Sequence, residues 1–133
     1  MCAEQNQVDE FLAQKVFAVV GASRDADKYG FKVFRALKNG GYEVFPVNPK
    51  TDSILGDKCY PSLTKLPKVP DVVSMIVPPH EGERVVEEAA GLGIKRIWFQ
   101  PGAESEKLLK LCEEKGIAAL SGVCVMVESK KKR

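Results

Sequence analysis

Histidine is almost missing from this chain, and its cysteines are too scattered to organise a site. His80 is the single histidine among 133 residues, so a metal centre built on imidazoles and a His-based nucleophilic triad are both poorly supplied. The four cysteines, Cys2, Cys59, Cys112 and Cys124, form no Cys-x-x-Cys pair, which argues against a zinc site and against a disulfide framework. No stretch approaches the roughly 18 uninterrupted apolar residues of a membrane span. The first residues, with Glu4, Asp9 and Glu10, lack the basic and apolar regions of a signal peptide, and a cytoplasmic address is expected. Excess charge is lacking too. The 20 Lys and Arg against 18 Asp and Glu leave a net charge of +2, too little to imply a nucleic-acid or acidic partner. The basic end at 128–133 carries no aromatics for base stacking and reads as a solvated tail.

What the chain does have is alternation, over a length suited to one domain, residues 1–133. A short N-terminal helix within residues 1–15, marked by Val8, Phe11 and Leu12, leads into an apolar strand, Val16–Val20. A helix over 30–39 follows, with Val33, Phe34 and Leu37 on one face, and Gly40-Gly41 end it. The second strand, Glu43–Val47, stops before Pro49. Residues 51–70, broken by Pro61, Pro67 and Pro70, are expected to hold only short pieces of structure. A strand over 72–77, a helix over 83–92, a strand Arg96–Phe99, a helix over 105–115 and a short strand Ala118–Leu120 complete the series. Residues 123–127 read as a last extended piece. Near-continuous apolar strands between amphipathic helices predict an α/β fold. Its form is a Rossmann-like doubly wound parallel sheet of about five strands, with helices on both faces.

Ligands of such sheets bind outside the carboxyl ends of the strands. Four strand ends meet there: Gly21-Ala22-Ser23, Val47-Asn48-Pro49-Lys50, Val77-Pro78-Pro79 and Phe99-Gln100-Pro101-Gly102. The first is a glycine turn between a strand and a helix, which presents backbone N–H groups and a helix dipole to an anion. It is not the dinucleotide fingerprint, because Ser23 and Ala26 stand where the second and third glycines belong. Nor does the second strand end in the acidic residue that receives ribose hydroxyls about 20 residues on. It ends in Lys50, a cation better suited to a phosphate.

These segments, taken in order, resemble the CoA-binding domain family, small proteins similar to the N-terminal domain of the succinyl-CoA synthetase α subunit. The resemblance is carried by Val20-Gly21-Ala22-Ser23-Arg24 with Lys28-Tyr29-Gly30. It continues in Gly41-Tyr42-Glu43-Val44-Phe45-Pro46-Val47-Asn48-Pro49-Lys50, Gly56-Asp57-Lys58-Cys59-Tyr60-Pro61-Ser62-Leu63 and Ile97-Trp98-Phe99-Gln100-Pro101-Gly102. It implies coenzyme A as cofactor, bound in an extended pose. Ala22, Ser23 and Arg24 would then hold nucleotide phosphates, Lys50 would contact CoA, and Val77-Pro78-Pro79 and Phe99-Gln100-Pro101 would line the ligand. The synthetase works through a phosphorylated histidine in a separate domain, so a non-catalytic carrier or regulatory module for CoA or acyl-CoA is expected here. Two alternatives stand beside it. An NAD(P)-dependent oxidoreductase is disfavoured by the missing glycines and acid. A thiol-redox protein would act through Cys124, whose place between Val123 and Val125 reads as a small buried hydrophobe. If the pantetheine arm of CoA runs toward the C-terminal segment, its thiol comes near Cys124. Cys112, Trp98 and Phe99 read as core, and His80 as a surface residue.

Overall fold

The computed structural model describes residues 5–130; Cys2 and residues 131–133 of the basic tail lie outside them. Chain order is α1 (Gln5–Leu12), β1 (Val16–Val20), α2 (Tyr29–Asn39), β2 (Glu43–Val47), a small hairpin of β3 (Ser53–Ile54) and β4 (Asp57–Lys58), and a single 3-10 turn (Leu63–Lys65). Then come β5 (Val72–Met75), α3 (Pro79–Gly91), β6 (Arg96–Phe99), α4 (Glu106–Glu114), β7 (Ala118–Leu120) and α5 (Val125–Lys130). Five strands pair in the order β2-β1-β5-β6-β7, every pairing parallel. The expected α/β sheet is therefore present, in the flavodoxin-like order whose switch point falls between β1 and β5.

Parallel strands joined by helices must bury both faces, and the side chains divide accordingly. Phe17, Val19, Val72, Trp98 and Leu120 point into a core shared with α1, α2 and α5. Ala18, Val20, Val73, Met75, Ile97 and Phe99 point the other way, against α3 and α4. Two buried side chains of β6 and its end reach past the sheet to hold the C-terminal segment. Trp98 Nε1 donates to the Val123 carbonyl (3.0 Å), and Gln100 Oε1 accepts from Val125 N–H (2.9 Å). No helix among the described residues is long and apolar enough to cross a membrane.

Three boundaries differ from expectation, each for a physical reason. Residues from Val125 onward form α5 and not an extended strand. The alternation of Val123, Val125 and Val127 suits a strand only where a partner edge exists, whereas a helix satisfies its own backbone: Val127 N–H and Glu128 N–H both donate to the Cys124 carbonyl. α3 begins at Pro79, four residues earlier than the apolar periodicity suggests, because proline at the first helical position loses no hydrogen bond. β5 ends at Met75, although Ile76 N–H still reaches the Val20 carbonyl.

Candidate functional site

Gly21 ends β1 with φ of +101°, and a Cβ there would also stand 3.1 Å from both Ile76 Cβ and Val77 N. Glycine is therefore required twice over, by backbone conformation and by the neighbouring strand. A second requirement escaped the sequence reading. A Cβ on Gly30 would collide with the Gly21 carbonyl oxygen, so the first turn of α2 runs directly over the end of β1. Gly30 thus does the close helix–strand packing that the fingerprint assigns to its third glycine, and the spacing alone had pointed to position 26.

The loop so formed holds itself open. Ser23 Oγ accepts from Asp25 N–H and Asp25 Oδ1 from Asp27 N–H, both at 3.0 Å. Among the described residues, the N–H groups of Ala22, Ser23 and Arg24 donate to no protein acceptor. α2 has no side-chain cap and no acidic residue in its first turn. α4, by contrast, is capped by Ser105 Oγ on Leu108 N–H (3.1 Å) and carries Glu106. Free donors in a loop that leads into an uncapped, eleven-residue helix are what an anion needs.

Asn48 fixes the neighbouring wall. Its Nδ2 donates to the Ala22 carbonyl (2.7 Å) and its Oδ1 accepts from Lys50 N–H (2.8 Å), while its own N–H donates to the Tyr60 carbonyl (2.9 Å). The side chain is spent on joining the tip of β2 to the Gly21 loop, which makes Asn48 a positioning residue. Pro49 and Lys50 are exposed beyond it.

A cavity of about 220 Å³ opens beside these loops on the α3 face, lined by Gly21, Val47 to Lys50 and Val77. The sequence reading missed its remaining lining, from the segment at Pro61 to Leu63 and from Glu81, Arg84 and Glu88 of α3. Glu88 Oε2 accepts from Thr64 N–H (3.2 Å) and so clamps the 3-10 turn to α3 across the cavity's outer wall. The helix residues fall in a charged run that reads as a solvated face. Only their one-turn spacing behind Pro79 hinted that they share the strand ends' edge.

The other expected residues divide by depth. Phe99 and Gln100 are buried completely. Phe99 belongs to the α3–α4 core, and Gln100 Nε2 donates to buried Ser74 Oγ (3.1 Å), so neither side chain faces the edge. Trp98 and Cys112 are core, as expected. Pro78, Pro101, Gly102, Arg24 and Lys28 are exposed, and Pro79 is half-buried. Cys124 corrects the expectation of a buried hydrophobe. It is half-buried, and its Sγ lies 2.7 Å from Tyr29 Oη. Burial foremost, and then this thiol, push the Tyr29 hydroxyl's pKa well above its ordinary value. The pair sits on the α2–α5 face, across the sheet edge from the cavity.

A family model described as a CoA binding domain matches residues 15–130, nearly the whole described chain. The chain belongs to the CoA-binding domain family. It is 31% identical over 122 residues to the uncharacterized protein YneT of Bacillus subtilis, a match spanning 91% of this chain and 90% of that one. It is 36% identical over 115 residues to acetate–CoA ligase (ADP-forming) II of Archaeoglobus fulgidus, a match spanning 77% of this chain but 17% of the ligase. A conserved hypothetical protein of Pyrococcus furiosus has a solved structure with 46% identity and a TM-score of 0.82. The match covers 86% of this chain and 98% of that one. The family's fold is thus found both as a short protein and as a small part of much longer ligases.

Proposed function

We propose that this protein binds coenzyme A, free or acylated, in an extended pose across the carboxyl edge of its sheet, as a carrier or regulatory module without catalysis of its own. The observation that carries the reading is the pair of free N–H groups at Ser23 and Arg24, next to buried Ala22 in the loop that leads from β1 to uncapped α2, beside the Lys50 cavity. These groups suit the pyrophosphate, and the cavity suits the nucleotide end. At the tip of β2 the side chain of Asn48 is already spent, and no carboxylate stands there for the ribose diol of NAD. The lining includes no cysteine or histidine, and its one hydroxyl, Ser62, is hydrogen-bonded to Thr64 Oγ1 at 2.9 Å.

Calorimetric titration with CoA and with NAD tests the proposal. CoA is expected to bind about tenfold more tightly or better, and equal or tighter NAD binding would favour the oxidoreductase alternative instead. The same pose sends the pantetheine arm over the Gly21 loop toward Tyr29 and Cys124. On incubation with CoA disulfide, the Cys124 thiolate would attack one sulfur, forming a Cys124–CoA disulfide and releasing one CoA thiol. Intact-protein mass without reductant should show the adduct in the wild type and not in Cys124→Ser. No adduct in the wild type would remove Cys124 from the path.

A further inference from the structure

We propose that Arg84 is a second phosphate-binding cation of the cavity, acting with Lys50, and that it makes the site select a nucleotide bearing a ribose phosphomonoester. The inference rests on the CoA-binding reading above.

Arg84 stands on the second turn of α3 and lines the same cavity as Lys50 at the tip of β2. Lys38, Lys68, Arg96, Lys107 and Lys115 all hold carboxylates, at 2.7, 3.0, 2.8, 3.0 and 3.1 Å. Among the described residues Arg84 and Lys50 hold none, as is true of several other cations such as Arg24, Lys28 and Lys95, and what sets these two apart is that they line the cavity. For Arg84 the lack of a partner is unexpected from the sequence, because Glu81 and Glu88 lie three residues before it and four after, a spacing at which helical ion pairs form. Neither carboxylate comes within ion-pair distance of it. Glu88 Oε2 takes Thr64 N–H at 3.2 Å, and Glu81 Oε2 lies 3.8 Å from His80 Nε2. The guanidinium is left to the cavity.

The chemistry of the lining then narrows the ligand. Two cations face two carboxylates, so a free anion meets no net attraction. A phosphate tethered to a nucleotide already anchored at the Gly21 loop meets a point charge from Lys50 and a forked pair of N–H donors from Arg84. A terminal phosphomonoester is nearly a dianion at neutral pH and has three free oxygens for both cations. A pyrophosphate is esterified at both ends, carries one charge per phosphorus, and fits the free N–H groups of the Gly21 loop better. Val20, Val47, Leu63 and Val85 supply apolar wall for the nucleoside between the two.

The test measures Kd for CoA, dephospho-CoA and adenosine 3′,5′-bisphosphate with the wild type, Arg84→Gln and Glu81→Gln. Both residues are exposed, and thermal unfolding checks that the variants fold. The wild type is expected to prefer CoA over dephospho-CoA by roughly tenfold or more. Arg84→Gln should cut that preference several-fold, the Lys50 charge keeping the remainder, while leaving dephospho-CoA affinity unchanged, and Glu81→Gln, which removes an opposing charge, should widen it. Equal loss for both compounds in Arg84→Gln, or no loss, overturns the inference while the CoA reading stands. Binding of the bisphosphate that depends on Arg84, in a protein that does not bind CoA, supports the clamp and overturns the CoA reading. A wild type that binds none of the three overturns both.

Discussion

Lys50 illustrates how little of a candidate binding residue's setting resides in the residue itself. Its N–H is held by Asn48 Oδ1 at 2.8 Å, so the turn is fixed, while its ammonium has no carboxylate partner among the described residues. The loss of a charge-assisted bond to phosphate costs about 1–3 kcal/mol, and Lys50→Ala should weaken CoA binding by that amount. Calorimetry with dephospho-CoA locates the contact. A loss equal for both compounds assigns Lys50 to the pyrophosphate, and unchanged CoA affinity removes it from the site. The cation itself was legible in the sequence, as was the glycine turn. Gly30 and Arg84 were not, since a helical glycine and an arginine in a run of glutamates have no local signature. Their roles come from the Gly21 carbonyl and the cavity, which only the folded chain brings near.

Among the elements, the hairpin of β3 and β4 carries a visible strain. Its two-residue loop, Leu55-Gly56, has φ of 52° and 82°, the pattern of a type I′ turn, which favours Asn-Gly. Leucine in that conformation costs about 1–2 kcal/mol, and Leu55 is 47% exposed, so packing returns little. Leu55→Asn should raise stability by about 0.5–1 kcal/mol, read as a higher urea midpoint at unchanged m-value. A lower midpoint would mean that the leucine side chain makes contacts that outweigh its strain. Strands β1, β2, β6 and β7 were legible to the residue, and α2 and α4 to within one, because their periodicity reports burial directly. α5 was not, because its fate depends on Gln100 and Trp98, both on the far side of α4 in sequence.

For the molecule as a whole, the two-sided core sets a pH limit. Burial pushes the Cys112 thiol up from 9.0 to about 11, and burial also raises Cys59 and Tyr29. The folded state holds these protons more tightly than the unfolded chain does. The stability that the Cys112 proton contributes is complete below about pH 9 and is lost as pH rises toward about 11. For Cys112 the loss is on the order of 2 kcal/mol. Urea midpoints should therefore fall between about pH 8 and about pH 10.5, less steeply in Cys112→Ala. A flat profile in the wild type would show that the thiol ionises as readily inside the core as outside.

The amino-acid sequence by itself determined the class of fold and the order of the five parallel strands and the helices between them. Each of these follows from local periodicity and from the glycines and prolines that punctuate it. Tertiary structure alone decided that Gly30 must be glycine, that Asn48 is a brace, and that the Gln100 side chain is interior. It also decided that the edge divides into a cavity on the α3 face and a tyrosine–cysteine pair on the other. The reason is distance along the chain. Lys50 and Arg84, and Tyr29 and Cys124, are far apart in sequence, and a parallel sheet, whose strands all end on one side, is what makes them neighbours.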